Sequence, residues 1–308
     1  MKEVTNPKEE NSPQSILITG ANGFTGQHAC TYFATAGYTV YAVVRKPTTF
    51  SHENIQMVLC DLSDWESIQT VIQTTQPNFA LHLAGQNAVQ VSWENPIDTL
   101  VANVMYTAYL LDAIRTQTNK CRTVIAGSIL QSNPAVPSSF LHPYSLSKTM
   151  QALYAEVYAT LFELDVIIAK PSNLIGPGHS TGVCSILANK VAKMERGKEE
   201  KIIAVHNLLV ERDFLDVRDA VKAYETLLLK GKSKNIYEIN SGKTRSLNDI
   251  IHLFKQLASV DFEIKAELEQ REKLIEINSL PLKKLGWEPK ILFEQSLADI
   301  LQYQRNSI

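Results

Sequence analysis

The sequence predicts an α/β fold, a doubly wound parallel sheet with a smaller, interleaved C-terminal α/β lobe. Short apolar runs alternate with longer amphipathic segments from Ser15 onward, which is the rhythm of βαβ units. A glycine-rich turn joins the first apolar run to the first amphipathic one. At 308 residues the chain is long enough for one large domain or two ordinary ones.

Taken in order, SILIT reads as a strand, FTGQHACTYFATAG as a helix, TVYAVV as a strand, DWESIQTVIQTTQ as a helix and NFALHLA as a strand. A helix over 96–115, a strand RTVIAG, a helix over 144–162 and a strand DVIIAK continue the winding. The composition then turns loop-rich at PSNLIGPGHSTG, and the charged run KMERGKEEK reads as a solvated helix end. A strand IIAV, a helix over 217–230, a strand NIYEIN, a Ser246-capped helix SLNDIIHLFKQLAS, a turn LGWEPK and a closing helix FEQSLADILQYQ complete the chain.

The 30 Lys and Arg against 32 Asp and Glu leave a net charge of −2, so no bulk positive field draws in nucleic acid or an anionic membrane. Cys30, Cys60, Cys121 and Cys184 lie beside apolar residues without CxxC pairing, so they read as reduced core thiols rather than metal ligands or disulfides. That usage suits a cytoplasmic protein with no metal. The start, MKEVTNPKEENSPQ, is polar and has no apolar leader, and no run of about 18 apolar residues occurs. The expectation is a soluble chain with a disordered arm over 1–13.

The turn ITGANGFTGQHA sets Gly20, Gly23 and Gly26 three residues apart between a strand and a helix, with Asn22, Phe24 and Thr25 interleaved. Glycines there permit a tight turn, close approach of backbone N–H groups to a pyrophosphate, and close helix packing. The placement makes this a Rossmann-type dinucleotide site. An acid at the end of the second strand would favour NAD, but Arg45 and Lys46 stand there, and cations suit the 2′-phosphate of NADP(H). NAD(H) stays possible.

Asp61, with Leu62 beside it, follows the third strand and either meets the adenine amino group or caps the next helix. Leu83, Ala84 and Gly85 are small or apolar enough to let the cofactor cross the sheet edge, while His82 reads as a satisfied core histidine.

In HPYSLSK, Tyr144 and Lys148 share one helix face at i and i+4, and a lysine cation beside a phenol favours the phenolate. Tyr144 becomes a usable proton donor or acceptor. In AGSILQSN, Ser128 ends a strand, and the next residues, Ile129, Leu130 and Gln131, neither give nor take a proton.

Together TGANGFTG, Ser128, YSLSK, SNLIGPG, RDFLDVRDA and LGWEP resemble the extended short-chain dehydrogenase/reductase (NAD-dependent epimerase/dehydratase) family over nearly the whole chain from Ser15. The branch most similar is that of the GDP-mannose 4,6-dehydratases and GDP-4-keto-6-deoxy-mannose reductases. The resemblance implies that Ser128 hydrogen-bonds the reacting sugar oxygen, that Tyr144 transfers the proton, and that Lys148 binds the nicotinamide ribose. Pro171 joins the cofactor side, and Gln86 the substrate side. Asn173 is implied to contact substrate phosphates and Arg212 the pyrophosphate or ribose. Arg271 is the local candidate for a further arginine that relatives carry in a late loop. Dehydratases of the family carry an acidic pair after the serine, where this chain has Ile129 and Leu130. The segment between Ser128 and Tyr144 is also shorter than usual, and Tyr106 replaces a glycine in NVMYT.

The expected division is a cofactor-binding unit over 14–171, rejoined by 213–240, and a nucleotide-sugar unit mainly over 172–308. The expected activity is NADPH-dependent reduction of the C4 ketone of a nucleoside-diphosphate 4-keto-6-deoxy sugar. A nucleotide-sugar 4-epimerase with tightly held NAD is the enzymatic alternative, and a catalytically silent NADP-binding sensor the other. The helices over 96–115 and 144–162 carry apolar residues on more than one face, which fits a homodimer through a four-helix bundle, as in relatives.

Overall fold

The computed structural model describes residues 14–117, 121–268, 270 and 277–308. The arm over 1–13 and Arg271 lie outside the described residues. Apolar runs bounded by turn residues form β1 (Ser15–Thr19), β2 (Thr39–Val44), β3 (Ile55–Leu59), β4 (Phe79–His82), β5 (Arg122–Ala126) and β6 (Val166–Pro171). They are followed by β7 (Asn173–Ile175), β8 (Ile202–Asn207), β9 (Glu211–Asp216), β10 (Ile236–Ile239), β11 (Thr244–Ser246) and β12 (Glu263–Leu268). Between them run α1 (Phe24–Thr35), α2 (Trp65–Thr75), α3 (Val89–Glu94), α4 (Pro96–Leu100), α5 (Tyr106–Gln117) and α6 (Pro143–Leu161). The later helices are α7 (Val183–Glu195), α8 (Val217–Lys230), α9 (Leu247–Leu257), α10 (Leu280–Lys283) and α11 (Phe293–Ser307).

The large sheet is parallel throughout, in the order β10-β6-β5-β4-β1-β2-β3. Alternation along each strand sends side chains to opposite faces, and both faces are covered. Ile16, Ile18, Val40, Leu81 and Val124 pack toward α1 and α8. Leu17, Val43 and Ala80 pack toward α2 and α5, and Ile125 and Ile168 toward α6. This is the doubly wound α/β fold that the sequence predicts. The strand order reverses between β1 and β4, so a crevice opens at their carboxyl ends, the usual ligand position in such sheets.

Beyond β6, β7, β9 and β11 form a three-stranded sheet and β8 pairs with β12. A second core of Leu187, Val191, Phe254 and Ile300 joins α7, α9 and α11. The chain then returns to the large sheet through α8 and β10. The LGWEPK turn docks there. Trp287 donates to the Asp219 carbonyl, and the Asp219 carboxylate accepts from the Lys290 and Ile291 N–H groups. Ser246 caps α9 with Asp249 in a capping box, as its sequence position predicts.

The short elements β7, β9, β11, β12, α3 and α10 are not anticipated by the sequence reading, and two further features differ from it. The helix expected over 96–115 is α4 and α5 joined through a π-type turn, Val101–Met105, and insertions of this kind frequently mark functional sites. The combined stretch Pro96–Gln117 is long and apolar enough to pass a membrane-span test, but Leu110, Leu111, Ala113 and Ile114 are buried in the core, so it is read as a core helix. Asp64, not Asp61, caps α2 by accepting from the Glu66 N–H. Asp61 instead accepts from the backbone and hydroxyl of Ser63, two residues on, because a short carboxylate at that spacing closes an Asx turn more readily than it reaches the helix.

Candidate active site

The glycine turn leaves β1 with Gly20 at φ +67°, a left-handed conformation that costs a side-chain-bearing residue energy. A methyl on Gly26 would stand 2.1 Å from the Gly20 carbonyl oxygen, so α1 approaches the turn as closely as a glycine allows. Gly23 caps α1 without a side-chain bond, which leaves the positive end of the helix to a ligand. Asn22 and Gly23 are exposed, Phe24 and Thr25 half-buried. The turn after β7 covers this loop. Gly178 lies against the Phe24 ring, and the Pro177 carbonyl meets His28 Nε2 at 2.7 Å.

Arg45 and Lys46 are exposed just after β2. The Asp61 carboxyl is held below its ordinary pKa chiefly by its bonds to Ser63, with Arg45 adding a smaller attraction, so Arg45 and Asp61 face the same corner. Leu62 lies in the core beneath, 4% exposed. Leu83, Ala84 and Gly85 follow β4, opposite the glycine turn, where Gly20 has backbone of Leu83 and Ala84 at contact distance. A turn open to backbone, a free helix end and two cations at the β2 edge together fit a phosphorylated dinucleotide.

Ser128, just after β5, and Tyr144, at the start of α6, come together. Both are 6% exposed, and the Ser128 side chain is near enough to the Tyr144 phenol to influence its titration. Tyr144 sits at the start of α6 because Pro143 opens the helix, His142 Nδ1 accepts from the Ser145 N–H, and Ser92 on α3 accepts from the Tyr144 N–H. Burial pushes the Tyr144 phenol above its ordinary pKa, and the Ser128 hydroxyl partly offsets this. The expected influence of Lys148 on the phenol is not what the side chains display. Lys148 Nζ donates instead to the Ala126 carbonyl and to Gln151 Oε1, both at 2.9 Å. Burial lowers its pKa to about 8. The physical reason is competition: an ammonium this deep binds fixed acceptors first.

Ile129 and Leu130 line a small cleft with Ser172, Asn173, Arg212 and Thr244. Asn173 donates to the Asp213 carbonyl and Ser172 to its carboxylate, so β7 and β9 hold this wall together. Arg212 donates to the Glu211 carbonyl and lines the cleft. Pro171 ends β6, and its carbonyl accepts from the Ile129 N–H. Gln86 donates its side-chain amide to the Ala88 carbonyl and to Thr99 Oγ1 on α4, and its Oε1 accepts from the Ala88 N–H. A larger cleft of about 370 Å³ lies at the far end of β9, around Asp216, Arg245, Phe293 and Ser296, and contains none of the predicted catalytic residues.

Sequence reasoning missed Asn103 and Gln151, both fully buried. Asn103, in the π-type turn, accepts from the Gln86 N–H and donates to the Gln86 carbonyl and to Ser147. A methyl on Gly85 would lie 2.5 Å from Asn103 Oδ1 and 3.7 Å from Lys148 Nζ, so Asn103 holds the loop beside the lysine. Leaving one such buried group unpaired costs about 1–3 kcal/mol. The available signals were an amide inside an apolar helix and a glutamine three residues after the lysine.

The family model for the NAD dependent epimerase/dehydratase family matches residues 16–240. The chain is 27% identical over 304 residues to the GDP-6-deoxy-D-mannose reductase of Pseudomonas aeruginosa, covering 94% of this chain and 96% of that one. It is 27% identical over 312 residues to a putative UDP-glucose 4-epimerase of Methanocaldococcus jannaschii, covering 95% and 99%. The solved structure of RMD from Pseudomonas aeruginosa complexed with NADPH superposes with a TM-score of 0.81 at 27% identity, over 96% of this chain and all of that one.

Proposed function

The chain belongs to the NAD dependent epimerase/dehydratase family, and from that premise we propose that it is an NADPH-dependent reductase of the C4 ketone of a nucleoside-diphosphate 4-keto-6-deoxy sugar. The observation that carries the reading is the Ser128–Tyr144 hydroxyl pair followed directly by two apolar residues, Ile129 and Leu130. Elimination needs an acid and a base beside the serine. Ketone reduction needs a proton held at one oxygen and nothing more from that strand. The relatives named above, a GDP-6-deoxy-D-mannose reductase and an NADPH complex, support the choice.

Bound NADPH supplies the hydride. The chain's own part is to hold the ketone oxygen between the Ser128 and Tyr144 hydroxyls, with the Tyr144 proton ready for the developing alkoxide. Lys148 is the cation assigned to the cofactor ribose. Gly20, Gly23 and Gly26 take the pyrophosphate, Arg45 and Lys46 the 2′-phosphate, and Asn173 and Arg212 the substrate's phosphates. Residues 14–171 with 213–240 then form the cofactor unit and 172–308 mainly the sugar-nucleotide unit.

The stripe Leu146, Met150, Leu153, Val157 and Leu161 on α6 is 41–69% exposed, with Ile97 on α4 at 69%. Its spacing fits the second half of a four-helix bundle from another copy of the chain. Leu153→Asp is expected to leave a monomer by sedimentation where the parent is a dimer. We place the protein in the cytoplasm, where its four cysteines, all free and buried, stay reduced.

The test is the loss of NADPH absorbance with GDP-, UDP- and dTDP-linked 4-keto-6-deoxy sugars, with NADH in parallel. Turnover with one of them, faster with NADPH, is the expected result. The epimerase reading draws on the epimerase relative. Silence with every ketone, together with a nicotinamide that survives dialysis, would replace the reductase by it.

A further inference from the structure

Below the cleft a line of fully buried polar side chains connects Lys148 to the strand that carries the glycine turn. Gln151 Nε2 donates to Thr107 Oγ1 at 2.8 Å, and His82 Nε2 lies 3.0 Å from the same oxygen. His82 Nδ1 lies 2.8 Å from Thr19 Oγ1, which accepts from the Ala84 N–H at 3.2 Å. Thr19, His82, Thr107 and Gln151 are each 0% exposed.

The directions of these bonds follow from proton counting. Thr107 has one hydroxyl proton and gives it to the Asn103 carbonyl at 2.9 Å. Its oxygen is therefore an acceptor toward both other neighbours. In that arrangement His82 presents its proton on Nε2 and, with burial keeping the ring neutral, Nδ1 accepts from the Thr19 hydroxyl. Gln151 must turn its NH₂ toward Thr107, which leaves its oxygen facing the ammonium. A flipped amide would set NH₂ against Lys148 and oxygen against oxygen at Thr107.

We propose that Gln151 is a positioning residue for Lys148, and that Thr107, with His82 and Thr19 behind it, locks the Gln151 amide in the one orientation that accepts from the lysine. The lysine is thereby fixed relative to β1 and the β4 end, the two edges on which the cofactor is proposed to lie. The use of that fixed lysine rests on the cofactor reading above, whereas the locking itself does not. The titratable groups facing the site are Tyr144 on α6, His82 on β4 and Tyr224, which interacts with Tyr144 from α8. Ala126 from β5 and Asn103 from the π-type turn contribute only neutral dipoles.

The test follows the Lys148 Cε resonance through a pH titration in lysine-labelled protein, assigned with Lys148→Arg. In Gln151→Met the midpoint is expected to fall, and in Gln151→Glu to rise, each by about one pH unit. Thr107→Val is expected to shift it in the Gln151→Met direction and Thr107→Ser to restore the parental value. A midpoint that ignores both Gln151 variants in folded protein, or one that Thr107→Val leaves in place, would overturn the proposal. Should the midpoints move as described while NADPH affinity stays constant, the locking stands and the cofactor role of Lys148 falls.

Discussion

The glycine turn and the cleft lined by Asn173 and Arg212 are made of different material. On the glycine-turn side the surface is largely backbone, with Gly20 in a left-handed conformation and Gly26 leaving no room for a methyl. On the other side it is made of side chains from short strands, Asn173 on β7 and Arg212 on β9, with Thr244 on β11. A backbone surface depends on which residues are absent, and so tolerates almost no substitution. A side-chain surface depends on which are present, and loses its contacts one at a time. Tyr144 and Ser128 stand at the junction.

Tyr144→Phe removes the proton at that junction and is expected to reduce turnover by about 10²–10⁴-fold, with NADPH affinity by fluorescence titration unchanged. Gly26→Ala should then separate the two sides. The added methyl must displace the turn, so a loss of about 1–3 kcal/mol in stability is expected, together with weakened NADPH binding. Parental NADPH affinity in Gly26→Ala would break the claim that backbone builds that side.

Arg212→Ala is the matching change opposite. Loss of a charged hydrogen-bonding group of about 1.5–3 kcal/mol should raise KM for the nucleotide sugar about tenfold or more, with NADPH affinity constant. An equal loss for cofactor and sugar would mean that Arg212 supports the fold rather than the ligand. The smallest effect belongs to Arg45→Ala, exposed at the β2 end. NADPH affinity should fall by up to about tenfold while NADH affinity holds, since only the 2′-phosphate loses its partner.

The same contrast governs how much was legible beforehand. Gly20, Gly23 and Gly26 announced themselves by spacing, and Tyr144 and Lys148 by sharing a helix face. Ser128 is picked out by its place at a strand end, and the fold sets it beside Tyr144. Gln86 is expected on the substrate side, and the fold adds bonds from its amide to Ala88 and to Thr99 on α4 that depend on where those residues come to rest. Asp61 was one candidate cap for α2, yet Asp64, three residues later, took that role. Asn103 and Gln151 were overlooked because an amide in an apolar helix acquires meaning only from its partners.

By itself the sequence determined the winding of the sheet, because alternating apolar strands and amphipathic helices are local patterns that no distant contact has to complete. It determined the glycine turn and the tyrosine–lysine face for the same reason. The tertiary structure decided what Lys148 holds, which way Gln151 faces, and that His82 and Thr19 stand behind them. Those bonds join residues as far apart as 19 and 82, or 107 and 151. Hydrogen-bond direction at such distances is fixed only after packing has excluded water and each donor must find a protein acceptor.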